Sequence, residues 1–414
     1  MIKIGFNNVD QAKIDYPNLI ADKIADRLKL LKTSLTHISV APNRDDHNVT
    51  SFKVVTHKII NFFQPTNGKI LAGNFNYATY NQTVSGYTAD PVNQAKLTVL
   101  NFAGLIQLID RLLGNQEKLL RLLLICSPDR LFKINDLLMR GHGIVSTADK
   151  FALGLAFDWK LHTEVTDQVK TFFHDERQVV HCPYCNINRA FYSELPGGQV
   201  SSSFSLDHFY TKTNYPLLTF CMFNLVPADD ICNGSNIKGQ IPFYYDYHLN
   251  PYEAGMDRTR MVFLPNIRKY GEDPTEIFLS LIPQTHERKY QQLVGNFPNI
   301  DETRIVGNIN VFKLKKNYNE DFVLERAGGV QRRCESIFRT RYHLKGFLKT
   351  MNLKLDVNSY QRFYKDNLGT EFLPEKFHRY SYSKMVRDIH DNVLKRDRST
   401  TYNDIKKLVS DNPA

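Results

Sequence analysis

The side chains best suited to chemistry are gathered between Cys182 and Asn233. They run Cys182-Pro183-Tyr184-Cys185, then Asp207-His208, then Asn224 within Phe223-Asn224-Leu225-Val226-Pro227, then Cys232-Asn233. Two cysteines separated by two residues bring their sulfurs to one side of a tight turn, which is half of a tetrahedral zinc site. An adjacent carboxylate and imidazole offer a ligand for a hard cation and a base that is neutral near pH 7. On a strand, Asp207 and His208 would leave opposite faces, so that one meets a metal while the other faces a water. The dipeptide alone means little: Asp46-His47 stands in a polar stretch with no cysteines after it. Asp246 and His248 read as a hydrogen-bonding corner, with an extra ligand or substrate contact as the lesser reading. What is specific is the order of the parts.

In that order and at that spacing, the segment resembles the HNH endonucleases, also called ββα-metal or His-Me finger nucleases. Their pattern runs C-x-x-C, Asp-His, a loop ending in Tyr-Pro, Asn-Leu-Val-Pro, and a second C-x-x-C followed at once by His or Asn. The likeness covers about 60 residues of the 414. It implies a catalytic divalent cation, Mg²⁺ or Mn²⁺, held by Asp207 and Asn233, with His208 as general base. Asn224 would pin the loop between the two strands and help to orient the His208 ring. Phosphodiester hydrolysis needs these types: a water stripped of its proton, and a cation against a non-bridging oxygen and the leaving oxygen. Lys212 and Lys238 flank the motif and are candidate phosphate contacts, although lysines near a turn are often simply solvated.

The second knuckle departs from the pattern, because Asp229 stands where its first cysteine is expected. A structural Zn²⁺ would then take Cys182, Cys185, Cys232 and Asp229, since a carboxylate oxygen is an acceptable fourth ligand. Cys221 is the competing fourth ligand, and in a third reading no zinc binds and packing alone holds the knuckle. The six cysteines follow no secretory leader pattern, so a disulfide framework is not expected and a reducing cytoplasm is. Apolar runs such as Leu122–Ile125 are too short to span a bilayer.

The elements that must position these residues read as an α+β fold, with a central ββα-metal module and zinc knuckle flanked by mainly helical regions. Residues 1–175 are expected to form a helical domain with a possible hairpin, 176–250 the nuclease module, and 251–414 a basic, mainly helical region. Ile20, Ile24, Leu28 and Leu31 make one helical stripe, and Val165, Val169, Phe172 and Phe173 another that ends near Asp175. Ser127-Pro128-Asp129 reads as an N-cap, a first-turn proline and an acidic first turn of a helix that stops near Gly141. Gly141-His142-Gly143 reads as its C-cap and turn. Residues 51–63 and 69–87, with Asn67-Gly68 between them, predict a hairpin. Trp159, the only tryptophan, reads as core of an apolar helix with Phe151 and Phe157.

The net charge of +10 favours a polyanionic partner, and residues 301–414 carry most of it, 23 Lys/Arg against 15 Asp/Glu. Arg332, Arg333, Arg339, Arg341, Lys345 and Lys349, interleaved with Phe338, Tyr342 and Phe347, read either as a phosphate-tracking face or as a solvated face over an apolar stripe. The leading expectation is a metal-dependent nuclease hydrolysing DNA. Further resemblance to HNH subunits of bacterial anti-phage systems of the Septu-like kind implies a defence context and an ATPase partner. The chain lacks a G-x-x-x-x-G-K-[ST] loop, so that ATPase would be a separate chain. The alternatives are an RNA-cleaving nuclease of the same type, and a zinc-stabilised nucleic-acid-binding or docking protein with a vestigial site.

Overall fold

The protein is described from a computed structural model, over residues 1–39, 100–159, 163–176, 180–190, 192–194, 200–202, 204–239, 241–256, 259–266, 272–281, 303–338, 341–350, 361–371 and 374–396. Among these residues helices dominate and the strands form small two-stranded ribbons, compatible with an α+β class. In chain order the helices and strands are α1 (Val9–Ser39), α2 (Phe102–Leu124), α3 (Leu131–Gly141), α4 (Thr147–Ala156) and α5 (Thr163–Glu176), then β1 (Tyr192–Glu194), β2 (Val200–Ser202), β3 (Phe204–His208), β4 (Leu225–Asp229) and the one-turn α6 (Asp230–Asn233). They continue with β5 (Met261–Asn266), β6 (Glu276–Leu281), α7 (Thr303–Val311), α8 (Leu314–Asn317), α9 (Asp321–Phe338), α10 (Arg341–Thr350) and α11 (Ser383–Arg396). The strands pair as β1–β2, β3–β4 and β5–β6. The predicted 51–87 hairpin and Asp46-His47 lie outside the described residues.

The chain divides into two compact units, one of Phe6–Arg177 with Leu206–Val226, the other of Met1–Gly5, Gln178–Ser205 and Pro227–Ala414. In the first unit, the stripe of Ile20, Ile24, Leu28 and Leu31 is fully buried as α1 packs on α2, α4 and α5. Val165, Val169 and Phe173 form the buried side of α5. Asn101 caps α2 by accepting the Gly104 N–H at 2.9 Å, and Ser146 caps α4 by accepting the Asp149 N–H at 3.0 Å.

Two local features differ from the sequence expectation. Helix α3 begins at Leu131 rather than at Pro128, and no side chain caps it. The Ser127 carbonyl accepts the N–H groups of Arg130 and Leu131, so Ser127-Pro128-Asp129 forms the turn ahead of the helix. Its far end is as read, with His142 at the C-cap and Gly143 at φ +66°. Trp159 is not a core helix residue: α4 ends at Ala156, and the half-buried indole follows its cap, Phe157.

In the second unit, the C-terminal region holds the antiparallel ribbon β5–β6 as well as helices, with Met261 opposite Leu281. The ribbon was not predicted, since its apolar runs, such as Met261-Val262-Phe263, are too short to separate from helical segments by periodicity. Phe263 donates its N–H to Asp388 of α11 at 2.9 Å, which docks the ribbon on that helix. Along α11 the pairs Lys384–Asp388 and Arg387–Asp391 are both buried, so each charge is desolvated together with its partner. Of the basic stretch, Arg332 pairs with Asp273 and Arg333 donates to the Asn367 carbonyl. Phe338 is buried, Phe347 packs on Phe363, and Lys345 and Lys349 are exposed.

Candidate functional site

The cysteine knuckle is a turn closed by its own backbone. Cys182 donates its N–H to the Asn188 carbonyl, Asn186 donates to the Cys182 carbonyl, and Ile187 N–H points at Cys185 Sγ at 3.4 Å. Asn186 takes a left-handed conformation, φ +55°, which asparagine tolerates better than most residues. Its side chain holds the turn by donating to the carbonyls of Phe377 and Tyr380. The Tyr318 hydroxyl donates to the Cys185 carbonyl at 2.8 Å, and the Tyr184 ring stacks on Phe312 at 4.1 Å.

Cys182, Cys185, Asp229 and Cys232 converge in the same unit, all buried, with their ligand atoms within 4.8 Å of one another. Three soft sulfurs and one carboxylate oxygen suit a metal such as zinc. Cys185 Sγ lies 3.8 Å from Asp229 Oδ2. Asp229 Oδ1 faces the other way, accepting from Ile231 N–H, Cys232 N–H and Asn188 Nδ2. Burial alone would raise the Asp229 pKa, but hydrogen bonds from Cys182, Cys232 and Asn188 hold it below the usual carboxylate value. Burial likewise opposes thiolates, yet hydrogen bonds from Cys182 and Cys232 push Cys185 well below an ordinary thiol. The competing ligand Cys221 is elsewhere, its thiol donating to the carbonyls of Leu123 at 3.1 Å and Leu217 at 3.5 Å. Burial pushes that thiol well up.

Asp207 and His208 are the last two residues of β3. Asp207 is buried and His208 half-buried. Just beyond them, Asn224 is fully buried and closes the turn into β4. Its Oδ1 accepts the Tyr210 N–H at 2.8 Å, its Nδ2 donates to the carbonyls of Tyr210 at 3.1 Å and Leu218 at 2.9 Å, and its own carbonyl accepts the Phe209 N–H. The Asn224 clamp therefore fixes the backbone that follows His208.

Asp207, His208 and Asn224 belong to the first unit; the cysteine set, Asp229, Asn233 and Lys238 belong to the second. Asn233 ends α6, and its Nδ2 donates to Ser205 Oγ at 2.7 Å. Ser205 was not singled out in the sequence, where a serine in Ser201-Ser202-Ser203 and its surroundings carries no signal of its own. Lys212 is half-buried in the turn after β3. Lys238 departs from its expected role at a phosphate, being buried with its ammonium 4.8 Å from the Phe243 ring centre. His248 makes the predicted corner: its Nδ1 accepts the Tyr244 N–H and its ring stacks on Phe243. Asp246 is exposed.

The residue that sequence reasoning missed is Trp159. Its ring meets that of His208 edge-to-face, with centroids 5.1 Å apart at 89°. Nothing in the spacing of Trp159 and His208 announces this contact.

No family model matches this chain, and no curated protein and no solved structure does.

Proposed function

We propose that the chain is a metal-dependent nuclease of the HNH type that hydrolyses DNA, in the setting of bacterial anti-phage defence. The observation that carries the reading is Asp207-His208 at the end of β3, followed by a turn whose backbone is bolted by the buried Asn224. The buried Cys182/Cys185/Asp229/Cys232 cluster, in the position of the family's knuckle, supports it. The net charge of +10 fits a polyanionic substrate.

Asp207 offers a buried carboxylate to Mg²⁺ or Mn²⁺. Such a cation, when bound, polarises the phosphodiester and stabilises charge on the leaving oxygen. His208, half-buried, accepts the proton of the attacking water. Asn224 holds the backbone that follows His208. The cysteine cluster with zinc would be structural and take no part in proton transfer.

The test is incubation of wild-type and His208→Ala protein with plasmid DNA, single-stranded DNA and RNA, each with Mg²⁺, Mn²⁺ or EDTA. Metal-dependent cutting of DNA that is lost in the variant is the expected result. Undiminished cutting by His208→Ala refutes the assignment, and cutting confined to RNA moves the substrate.

A further inference from the structure

Trp159 and His208 come from distant parts of the sequence, yet their rings meet at 5.1 Å and nearly perpendicular. The indole is itself held: it lies at 26° to the Phe220 ring with centroids 5.4 Å apart, and Phe220 is fully buried. The Phe220 carbonyl accepts the Tyr16 hydroxyl at 2.8 Å, tying this wall to α1. Both Trp159 and His208 are half-buried, so their contact is not simply core filling.

The Asn224 clamp fixes the backbone after His208 but does not set the turn of its ring. Rotation about the bond between Cβ and the imidazole is broad and roughly two-fold, so an unsupported ring samples several aims. A base must present one nitrogen to the water it activates, and each misaimed orientation is lost from the productive population. An edge-to-face wall is a directional contact, favoured by the ring quadrupole, and supplies that support.

We propose that Trp159 is a positioning residue for His208, setting the plane of the imidazole from a loop outside the nuclease ribbon. Its kinetic consequence rests on the nuclease reading; the contact does not. Loss of an aromatic pair of this kind corresponds to roughly two- to tenfold in a population. Trp159→Leu should therefore lower kcat by about that factor with KM little changed, and Trp159→Phe should recover most of it.

The experiment pairs this kinetic split with NMR of histidine-labelled protein, in which the His208 ring signals are assigned by their disappearance in His208→Gln. The expected result is a His208 ring signal displaced by the indole ring current in wild type, partly retained in Trp159→Phe and lost in Trp159→Leu, with matching thermal melts for the two Trp159 variants. An unchanged His208 signal in Trp159→Leu overturns the proposal, as does wild-type kcat in that variant. If the wild-type protein cuts no nucleic acid with any metal, the nuclease reading falls, and nuclear Overhauser contacts between the His208 ring and its own β protons, those of one ring orientation in wild type and averaged in Trp159→Leu, decide whether Trp159 sets the ring.

Discussion

Replacing Asn224 by alanine removes three buried hydrogen bonds in one step, and the structure says which neighbours suffer. The Leu218 carbonyl keeps the Cys221 N–H, 3.1 Å away. Tyr210 loses its two contacts to the Asn224 side chain, at 2.8 Å for its N–H and 3.1 Å for its carbonyl. At about 1 kcal/mol net for each of three bonds the loss is about 3 kcal/mol, and burial of the stranded amide raises it further. For a unit of this size that corresponds to a fall in melting temperature of roughly 6–12 °C. Asn224→Asp sharpens the argument. It preserves an acceptor for Tyr210 N–H but turns a carboxylate oxygen toward two carbonyls, so at neutral pH it should cost at least as much as alanine. Urea unfolding followed by tryptophan emission is a suitable assay, because the single tryptophan lies in the same unit as Asn224. A loss below about 1 kcal/mol in that transition would refute the view that Asn224 is a clamp.

Two further outcomes follow from the other unit. Purified protein should carry one equivalent of zinc, kept in Cys221→Ser and lost in Cys232→Ser and Asp229→Ala; elemental analysis showing the reverse for Cys221 and Asp229 would remove Asp229 from the site. Burial, with the positive charges of Lys238 and Arg304, lowers the His248 pKa from 6.5 to about 4. Below pH 6.5 the unfolded chain takes up a proton that the folded chain refuses until about pH 4, so this stabilising contribution is full above 6.5 and fades as pH falls through that window. His248→Gln should flatten the decline of stability between those two values in denaturant titrations, and an unaltered slope would count against the linkage.

Much of the helical frame was legible because burial imposes a period that survives any detail of packing. The stripe from Ile20 to Leu31 faces inward as read, and so do Val165, Val169 and Phe173 of the second stripe, while Phe172 is half-buried. The cysteine cluster was legible for a different reason: four ligands must lie at short spacings in a knuckle, and only Asp229 among the candidates had that spacing to Cys232. What escaped was set by tertiary contact. Ser127-Pro128-Asp129 carries the chemistry of a cap, but its carbonyl bonds close a turn first and the helix starts afterwards. Lys238 looks like a surface cation in sequence, and only the fold shows it turned under Phe243. Trp159 looks like core beside Phe151 and Phe157, and no local pattern reveals that it stands against a histidine 49 positions later.

The two oxygens of Asp229 give the cysteine cluster a property that an all-sulfur site lacks. Oδ2 faces the thiols while Oδ1 ties down the first N–H groups of α6, a helix of four residues that is too short to persist without such a tie. A cysteine at this position would offer the metal a better donor, but its single sulfur could not also serve both amides. Metal affinity and the order of the segment ending in Asn233 are thus traits that pull against each other at one codon. Variation there would be steered by the helix as much as by the metal, so an aspartate in a row of cysteines need not mark a decaying site.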